Sequence, residues 1–336
     1  MAELANVHIS TSNRHPKLSC VLSTLALVGL FALGVKGEPS ELPPEIGYNY
    51  GEIETPRVAA AGGAQRALGS SVSGLFLNPA NMATSRVYHV GALAQIWPEA
   101  SRQSYGAGAV DSMVSSWRLA GGFGGTWTVQ DPEGVNRESA DLRFALAFPF
   151  SDTFFVGLGG RYLWLSQDGL GPLGHSLASG GLRGENIVES FGFDAGATLK
   201  PTRELAIAIL GSNLNNPGHG FMPLNLGGGV GYGTETFSLE ADVLADFTTW
   251  DDTALRAMAG FELLAAGRYP LRIGYRYDAG TESHAVSGGL GYIDQSLAVE
   301  ASVRRVVSGE AATAVILGIT YHVESSGMTP SPADSF

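Results

Sequence analysis

Cysteine is all but missing from this chain of 336 residues: Cys20 is the single one. No disulfide framework can brace the fold, so its stability has to come from burial and hydrogen bonding. Cys20 follows Lys17-Leu18-Ser19 and lies inside an apolar run. A lipid-bearing cysteine would instead follow that run after a small-residue approach, so lipidation is rejected. Charge is also scarce, at 15% of residues, and the formal net charge is −12. Lysine is confined to Lys17, Lys36 and Lys200, which leaves the basic work to arginine. Arginine pairs bidentately with carboxylates and tolerates partial burial, which suits ion pairs in an enclosed interior. An acidic chain without clustered Lys/Arg is a poor ligand for phosphate backbones, so no nucleic-acid partner is expected.

Catalytic and metal-binding signatures are missing too. His8, His15, His89, His175, His219, His284 and His322 form no HExxH and no i, i+4 helical pair, and no GxSxG is present. The stretch Gly169–Gly174 matches GxGxxG, but it falls in an expected loop, contains Pro172 and opens no helix. The chain is therefore read as a non-enzyme with no cofactor and no metal.

One long apolar run does occur, Leu18–Val35, preceded by Arg14 and Lys17 and followed by Gly37. That order of basic, apolar and small residues reads as a signal peptide over 1–37. Residues 1–37 hold Arg14, Lys17 and Lys36 against Glu3, so removing them leaves 17 basic and 31 acidic residues, a net of −14.

What the chain has in abundance is glycine, 46 residues, and alternation. Phe237, Leu239, Ala241, Val243, Ala245 and Phe247 form one row; Ser238, Glu240, Asp242, Leu244 and Asp246 form the other. Successive strand side chains point to opposite faces, so this segment has one apolar face and one acidic face. About fourteen such segments follow one another: 86–97, 103–114, 117–129, 139–150, 153–166, 188–199, 204–213, 222–233, 236–247, 253–264, 269–278, 283–293, 296–306 and 311–322. Connections after even-numbered segments read as tight, for example Ser115-Ser116, Ser151-Asp152 and Asp294-Gln295. Those after several odd-numbered ones are longer, as in 131–138 and 167–187. Outer-membrane barrels have an even strand count, short turns at one end and longer loops at the other, whereas a sandwich has no reason for that pattern. Trp97, Trp127, Phe148, Phe150, Tyr162, Trp164, Tyr275, Tyr277, Tyr292 and Tyr321 lie near segment ends, where aromatic belts at a lipid–water boundary would place them.

The fold class is therefore all-β: a transmembrane antiparallel β-barrel of about fourteen strands, spanning 86–322, in a bacterial outer membrane. Its lumen row carries Arg118, Arg143, Arg161, Asp194, Glu240, Asp242, Arg256, Glu262, Arg272, Arg276, Glu300 and Arg304. The mixed signs suit a salt-bridged filling and argue against a pore selective for one charge. Inward Gly122, Gly124, Gly289 and Gly291 leave room for a plug or a ligand. Residues 323–336 form a polar tail, expected to be flexible. Residues 38–85 differ from the barrel: an acidic, proline-rich lead over 38–56, then a small-residue stretch in which 58–68 predicts a short helix.

The segment Gly62-Gly63-Ala64, Ala67-Leu68-Gly69 and Ser73-Gly74-Leu75-Phe76-Leu77-Asn78-Pro79-Ala80-Asn81-Met82-Ala83 resembles the N-terminal hatch of FadL/TodX-type outer-membrane transporters of hydrophobic compounds. The related PorV/PorQ-type barrels share this signature. The resemblance implies a small N-terminal plug inside the barrel, with Leu75, Phe76, Leu77, Asn78, Pro79 and Ala80 as hatch. It also implies lateral solute release through a wall opening at the third strand, where Gly121, Gly122, Gly124 and Gly125 could permit a kink. Asn81-Met82 replaces the family's usual Gly-Leu, and only the connection over 167–187 is long, which raises the PorV/PorQ-like reading. Two functions follow. Uptake of a hydrophobic small molecule, fatty-acid-like or aromatic, predicts an apolar pocket between hatch and strands. A secretion or surface-attachment role with a protein partner predicts a filled lumen. In either case the surrounding partners are outer-membrane lipid and lipopolysaccharide.

Overall fold

The computed structural model describes residues 52–131, 136–167, 186–218, 220–250 and 252–323. The expected signal peptide, the lead up to residue 51, the Gly169–Gly174 motif, most of the 167–187 connection, His219 and the tail beyond 323 lie outside the described residues.

Fourteen strands form one closed antiparallel barrel in which each pairs with its neighbours in sequence. They are β1 (Tyr88–Trp97), β2 (Arg102–Asp111), β3 (Ala120–Gln130), β4 (Arg137–Pro149), β5 (Phe154–Gln167), β6 (Asn186–Leu199), β7 (Leu205–Ser212), β8 (Asn225–Gly233), β9 (Phe237–Asp246), β10 (Ala254–Ala265), β11 (Tyr269–Asp278), β12 (Ser283–Ile293), β13 (Leu297–Ser308) and β14 (Thr313–His322). The ring closes where β1 meets β14, from His89 opposite His322 to Ile96 opposite Val315. Every expected strand overlaps an observed one.

Alternation sets which face each side chain takes. Along β9, Ser238, Glu240, Asp242, Leu244 and Asp246 are buried inward, while Leu239 is exposed outward. The outer wall is a continuous apolar band, with Phe123 at 70%, Leu158 at 68%, Ile209 at 67% and Ile273 at 64% exposed. Apolar area of that extent has no partner among the described residues, which marks it as a surface for another apolar phase. Ring pairs gather towards both rims. Trp127 stacks on Trp164 at 5.7 Å near the long-loop end; Phe148 meets Phe150 at 5.4 Å and Tyr269 meets Tyr292 at 5.7 Å near the tight-turn end.

Two expectations are corrected here. Trp97, placed in a belt by its position, points inward and is 1% exposed, with the Arg102 guanidinium 4.3 Å from its ring. The β2–β3 connection is not Ser115-Ser116 but spans 112–119. Asp111 ends β2 with its Oδ1 accepting the Met113 and Val114 N–H groups, while Ser112 N still donates to Val87 O and its Oγ donates to Ser85 O.

The N-terminal segment lies within the barrel. It comprises α1 (Pro56–Ala60), α2 (Ser71–Leu77) and a 3-10 helix at Pro79–Ala83. The helix expected over 58–68 stops at Ala60, because Gly62 and Gly63 take φ values of 71° and 91°. A Cβ at Gly62 would come within 2.5 Å of Tyr275 O, so only glycine lets the segment approach β11 this closely. Glu52–Pro56, expected in the lead, also lie inside: Ile53 is 4% exposed and Glu54 is fully buried. The segment touches strands on every side of the ring. Pro56 meets Gly318 of β14, Ala60 meets Gly289 of β12, Leu68 meets Gly231 of β8, Ala80 meets Gly157 of β5 and Met82 meets Gly122 of β3. The largest apolar core is shared between α2, the 3-10 helix and β1–β5, and it contains Val72, Leu75, Phe76, Met82, Val110 and Phe155.

Candidate functional site: the lumen around the N-terminal segment

Eleven of the twelve predicted lumen charges face inward, and most are tied to the N-terminal segment. Glu54 accepts from Arg304 Nη1 at 2.7 and 2.5 Å and also pairs with Arg276. Burial pushes the Glu54 carboxyl up, but Arg276 and Arg304 outweigh it and hold it at about 2. Arg66, 1% exposed, pairs with Glu52 and contacts Asp242 Oδ2 at 3.3 Å. Glu52 also meets Arg256 at 3.3 Å, and Arg256 Nε donates to Asp278 at 2.8 Å. Arg272 bridges Glu262 at 2.5 Å and Glu300 at 2.6 Å, and Glu262 reaches Arg57 at 3.2 Å. On the facing wall, Asp141 is shared by Arg161, at 2.7 Å, and Arg143, at 3.3 Å. Charges removed from water persist only when paired in this way.

Two of these carboxylates bind backbone, not side chains alone. Asp242 Oδ2 accepts the N–H groups of Gln65 and Arg66 at 2.9 and 3.0 Å, and Glu240 accepts those of Ala67 and Leu68 at 2.5 and 3.1 Å. Four successive donors of the 65–68 turn are thus held by β9.

Arg118 is the exception and a correction. It lies in the 112–119 connection with φ 60°, is 41% exposed at its side chain and pairs with Asp152 at 2.7 Å outside the lumen. The turn before β3 is longer than alternation suggested, so Arg118 falls beyond the strand whose facing row would have pointed it inward.

The Leu75–Ala80 stretch forms a knot. Leu75, Phe76 and Leu77 pack into the core, and Phe76 O accepts from Arg143 Nη1 at 2.8 Å. Asn78 is fully buried; its Nδ2 donates to Arg66 O at 2.9 Å and to Thr198 Oγ1 at 3.0 Å, while its Oδ1 caps Ala80 N at 3.2 Å. Pro79 starts the 3-10 helix where its missing N–H costs nothing. Thr198 of β6 in turn donates to Asn81 Oδ1 at 2.6 Å, and Asn81 Nδ2 donates to Arg66 O at 2.9 Å. One strand, one turn and one helix end are therefore joined by two asparagines.

The third-strand glycines divide by parity. Gly122 and Gly124 face inward, where a Cβ would meet Met82 and Phe76; Gly121 and Gly125 face outward against Leu146 and Leu142. β3 pairs without interruption with β2, from Gly121 opposite Asp111 to Gln130 opposite Arg102, and with β4 over 120–130. The wall at β3 is closed in this structure, and its glycines make room for α2 and the 3-10 helix.

Two open cavities remain beside the segment. One of about 40 Å³ is lined by Ile53, Arg102, Arg137, Leu163, Leu165 and Phe221, among others. The second, about 20 Å³, lies between Phe76, Leu77, Arg161, Asp194, Leu210 and Asn213. Their walls mix apolar and charged groups, so the wholly apolar pocket expected for uptake is not what the described residues form. Among the described residues no three His, Cys, Asp or Glu side chains gather for a metal ion.

Arg102, Arg137, Asp141 and Asp278 were not singled out from sequence. The signal was present for three of them: Arg137 and Asp141 share the odd row of β4 with Arg143, and Asp278 shares the even row of β11 with Arg272 and Arg276. Glu52, Glu54 and Arg66 had no such signal, because their segment has no period.

The closed fourteen-stranded barrel of this chain has the fold of solved FadL-type transporters of hydrophobic compounds. It is similar to the monoaromatic hydrocarbon channel CymD, with a TM-score of 0.61 and 13% identity over 82% of this chain and 98% of that one. The Ralstonia pickettii toluene transporter TbuX aligns with a TM-score of 0.57 and 14% identity, over 82% and 99% of the two chains. A Pseudomonas aeruginosa FadL homologue aligns with a TM-score of 0.57 and 14% identity, over 80% and 98%. No protein-family model matches the sequence, and neither does any curated protein.

Proposed function

We propose that this chain is a bacterial outer-membrane channel for passive uptake of small hydrophobic molecules, with the N-terminal segment as its hatch. The observation that carries the reading is a closed barrel with an outward apolar band, folded like known hydrocarbon channels, whose lumen is occupied by its own N-terminal segment with small cavities beside it. Its relatives in fold include channels for toluene and other monoaromatic hydrocarbons. The outer apolar band and rim aromatics match what a lipid bilayer requires of a barrel. The mixed cavity walls favour a compact aromatic or short amphipathic solute over a long alkyl chain. A hatch tied by asparagine and carboxylate hydrogen bonds can shift without unzipping any strand ladder, which is the property a gate needs.

The test is mass spectrometry of lipophiles that co-purify with the folded, detergent-solubilised barrel. A defined aromatic or short lipophile at near-stoichiometric level supports uptake. A barrel carrying detergent and bulk lipid alone, and retaining a protein partner, replaces this reading with the secretion role.

A further inference from the structure

Asp194, on the inner row of β6, stands apart from the charge network of the lumen. Arg161 and Arg143 line the same small cavity but pair with Asp141, which leaves Asp194 without an ion pair among the described residues. Glu52, the other carboxylate of that cavity, is taken by Arg66 and Arg256. What Asp194 Oδ1 accepts is the Asn213 N–H, at 2.8 Å.

This carboxylate sits at a corner where strand pairing stops. Between β6 and β7 the ladder runs from Ala195 opposite Gly211 to Leu199 opposite Ile207, five residue pairs against thirteen between β5 and β6. Beyond that ladder the chain turns, with Asn213 at a left-handed φ of 53° and Leu214 N donating to Phe193 O at 2.7 Å. β7 and β8 pair up to Ser212 opposite Asn225. Alternate strand residues share a face, so Ser212 joins Leu210 on the inner row and Asn225 faces inward beside it. Three strands thus bring Asp194, Ser212 and Asn225 to one patch of the inner wall, and Asn213 closes its edge.

All four residues line the cavity of about 20 Å³, which has room for an ion and one water. Two of them carry a buried oxygen that no protein group satisfies. Asn213 is 2% exposed and Asn225 4%, and neither Oδ1 accepts a hydrogen bond. Asn213 cannot relieve this by turning its amide, because its Nδ2 is committed to Pro223 O at 2.8 Å. Buried acceptors are ordinarily satisfied, so two orphans in one cavity call for an electropositive partner. The set offered is one carboxylate, two amide oxygens and one hydroxyl. Oxygen ligands of these kinds hold hard cations.

We propose that this cavity is a calcium site, with Asp194, Ser212 Oγ, Asn213 Oδ1 and Asn225 Oδ1 as its protein ligands. A bidentate Asp194 carboxylate, the three neutral oxygens and one water make about six ligands, the lower end of calcium's range. A single carboxylate, with the Arg143 and Arg161 guanidiniums in the same wall, makes the site weak. Its affinity belongs in the class of about 10⁻⁴–10⁻³ M that extracellular calcium modules use. The ion ties β6, β7 and β8 together at the corner where the β6–β7 ladder gives out. The site does not depend on what the barrel carries.

The test titrates calcium chloride into the purified, folded full-length barrel. Equilibrium dialysis with radioactive calcium and thermal unfolding are the readouts, with potassium chloride at matched ionic strength as control. The wild type should bind calcium saturably in that millimolar class and melt at a higher temperature with it. Asp194→Asn should abolish both effects while the fold persists, since an amide oxygen still accepts the Asn213 N–H. Asn225→Asp adds a second carboxylate and should tighten binding several-fold. That gain is not what a merely structural asparagine would give, and it decides the matter if Asp194→Asn does not fold. Absence of saturable binding by the wild type overturns the site. So does binding that Asp194→Asn fails to weaken, or that Asn225→Asp fails to strengthen.

Discussion

Arg304 places one guanidinium nitrogen on both carboxylate oxygens of Glu54, at 2.7 and 2.5 Å, across a sequence separation of 250 residues. Glu54 comes from a segment without secondary structure, and Arg304 from the inner row of the penultimate strand. This contact fixes the start of the N-terminal segment in the barrel. Glu54→Gln should strip the buried Arg304 of this carboxylate and leave Arg276 with only the more distant Glu52, at 3.8 Å, at a cost of about 3–5 kcal/mol. The temperature at which the folded barrel loses its compact gel mobility should fall accordingly; an unchanged temperature would show that the pair is energetically silent.

The same carboxyl sets an acid limit. It is held at about 2 in the fold against an ordinary 4.5, so its contribution is fully present above about pH 4.5 and is lost as pH falls through 2. The size is about 3 kcal/mol at neutral pH. Acid titration of barrel stability should show that loss in the wild type, and Glu54→Gln should remove that share of it.

Asn78 carries three hydrogen bonds from a fully buried position. Asn78→Ala should cost about 1–3 kcal/mol for the groups left unsatisfied. Replacing Asn78-Pro79 by Ala-Ala should loosen the hatch further and change solute entry. Intact folding with unaltered entry would remove this knot from the gate.

Gly157 of β5 lies against the 3-10 helix, since a Cβ there would stand 2.4 Å from Ala80 N and Pro79 C. Both are backbone atoms that cannot move aside. Gly157→Val should therefore displace the 3-10 helix and expose Arg57 and Arg66 to trypsin, while the strands stay paired. Protection of both arginines in the variant would contradict the packing described.

Arg118 supplies the contrast. Its partner Asp152 is 90% exposed and Arg118 itself 41%, so the pair should be worth less than about 1 kcal/mol. Arg118→Ala should leave stability and solute entry as they are, and a large loss of either would return it to the lumen network.

Much of the barrel was legible because alternation is a local signal. Each strand advertises its two faces in its own residues, and a row such as Glu240, Asp242, Asp246 can be read without knowing its neighbours. Reading failed where a turn shifted the count, as at Arg118, or where an end residue was judged by place and not parity, as at Trp97. The partners of Glu54, Arg66 and Asn78 were not legible, since nothing in an aperiodic segment says which wall it will meet.

By itself, then, the sequence determined the two faces of each strand, their number and the polar filling, because period-two alternation acts residue by residue. The tertiary structure alone decided which charges meet, that the N-terminal segment rests on β9 through four backbone donors, and that the five-pair ladder lies at β6–β7 and not at β3. Those outcomes depend on register and closure, which bring together residues up to 250 positions apart and leave no trace in any one stretch of chain.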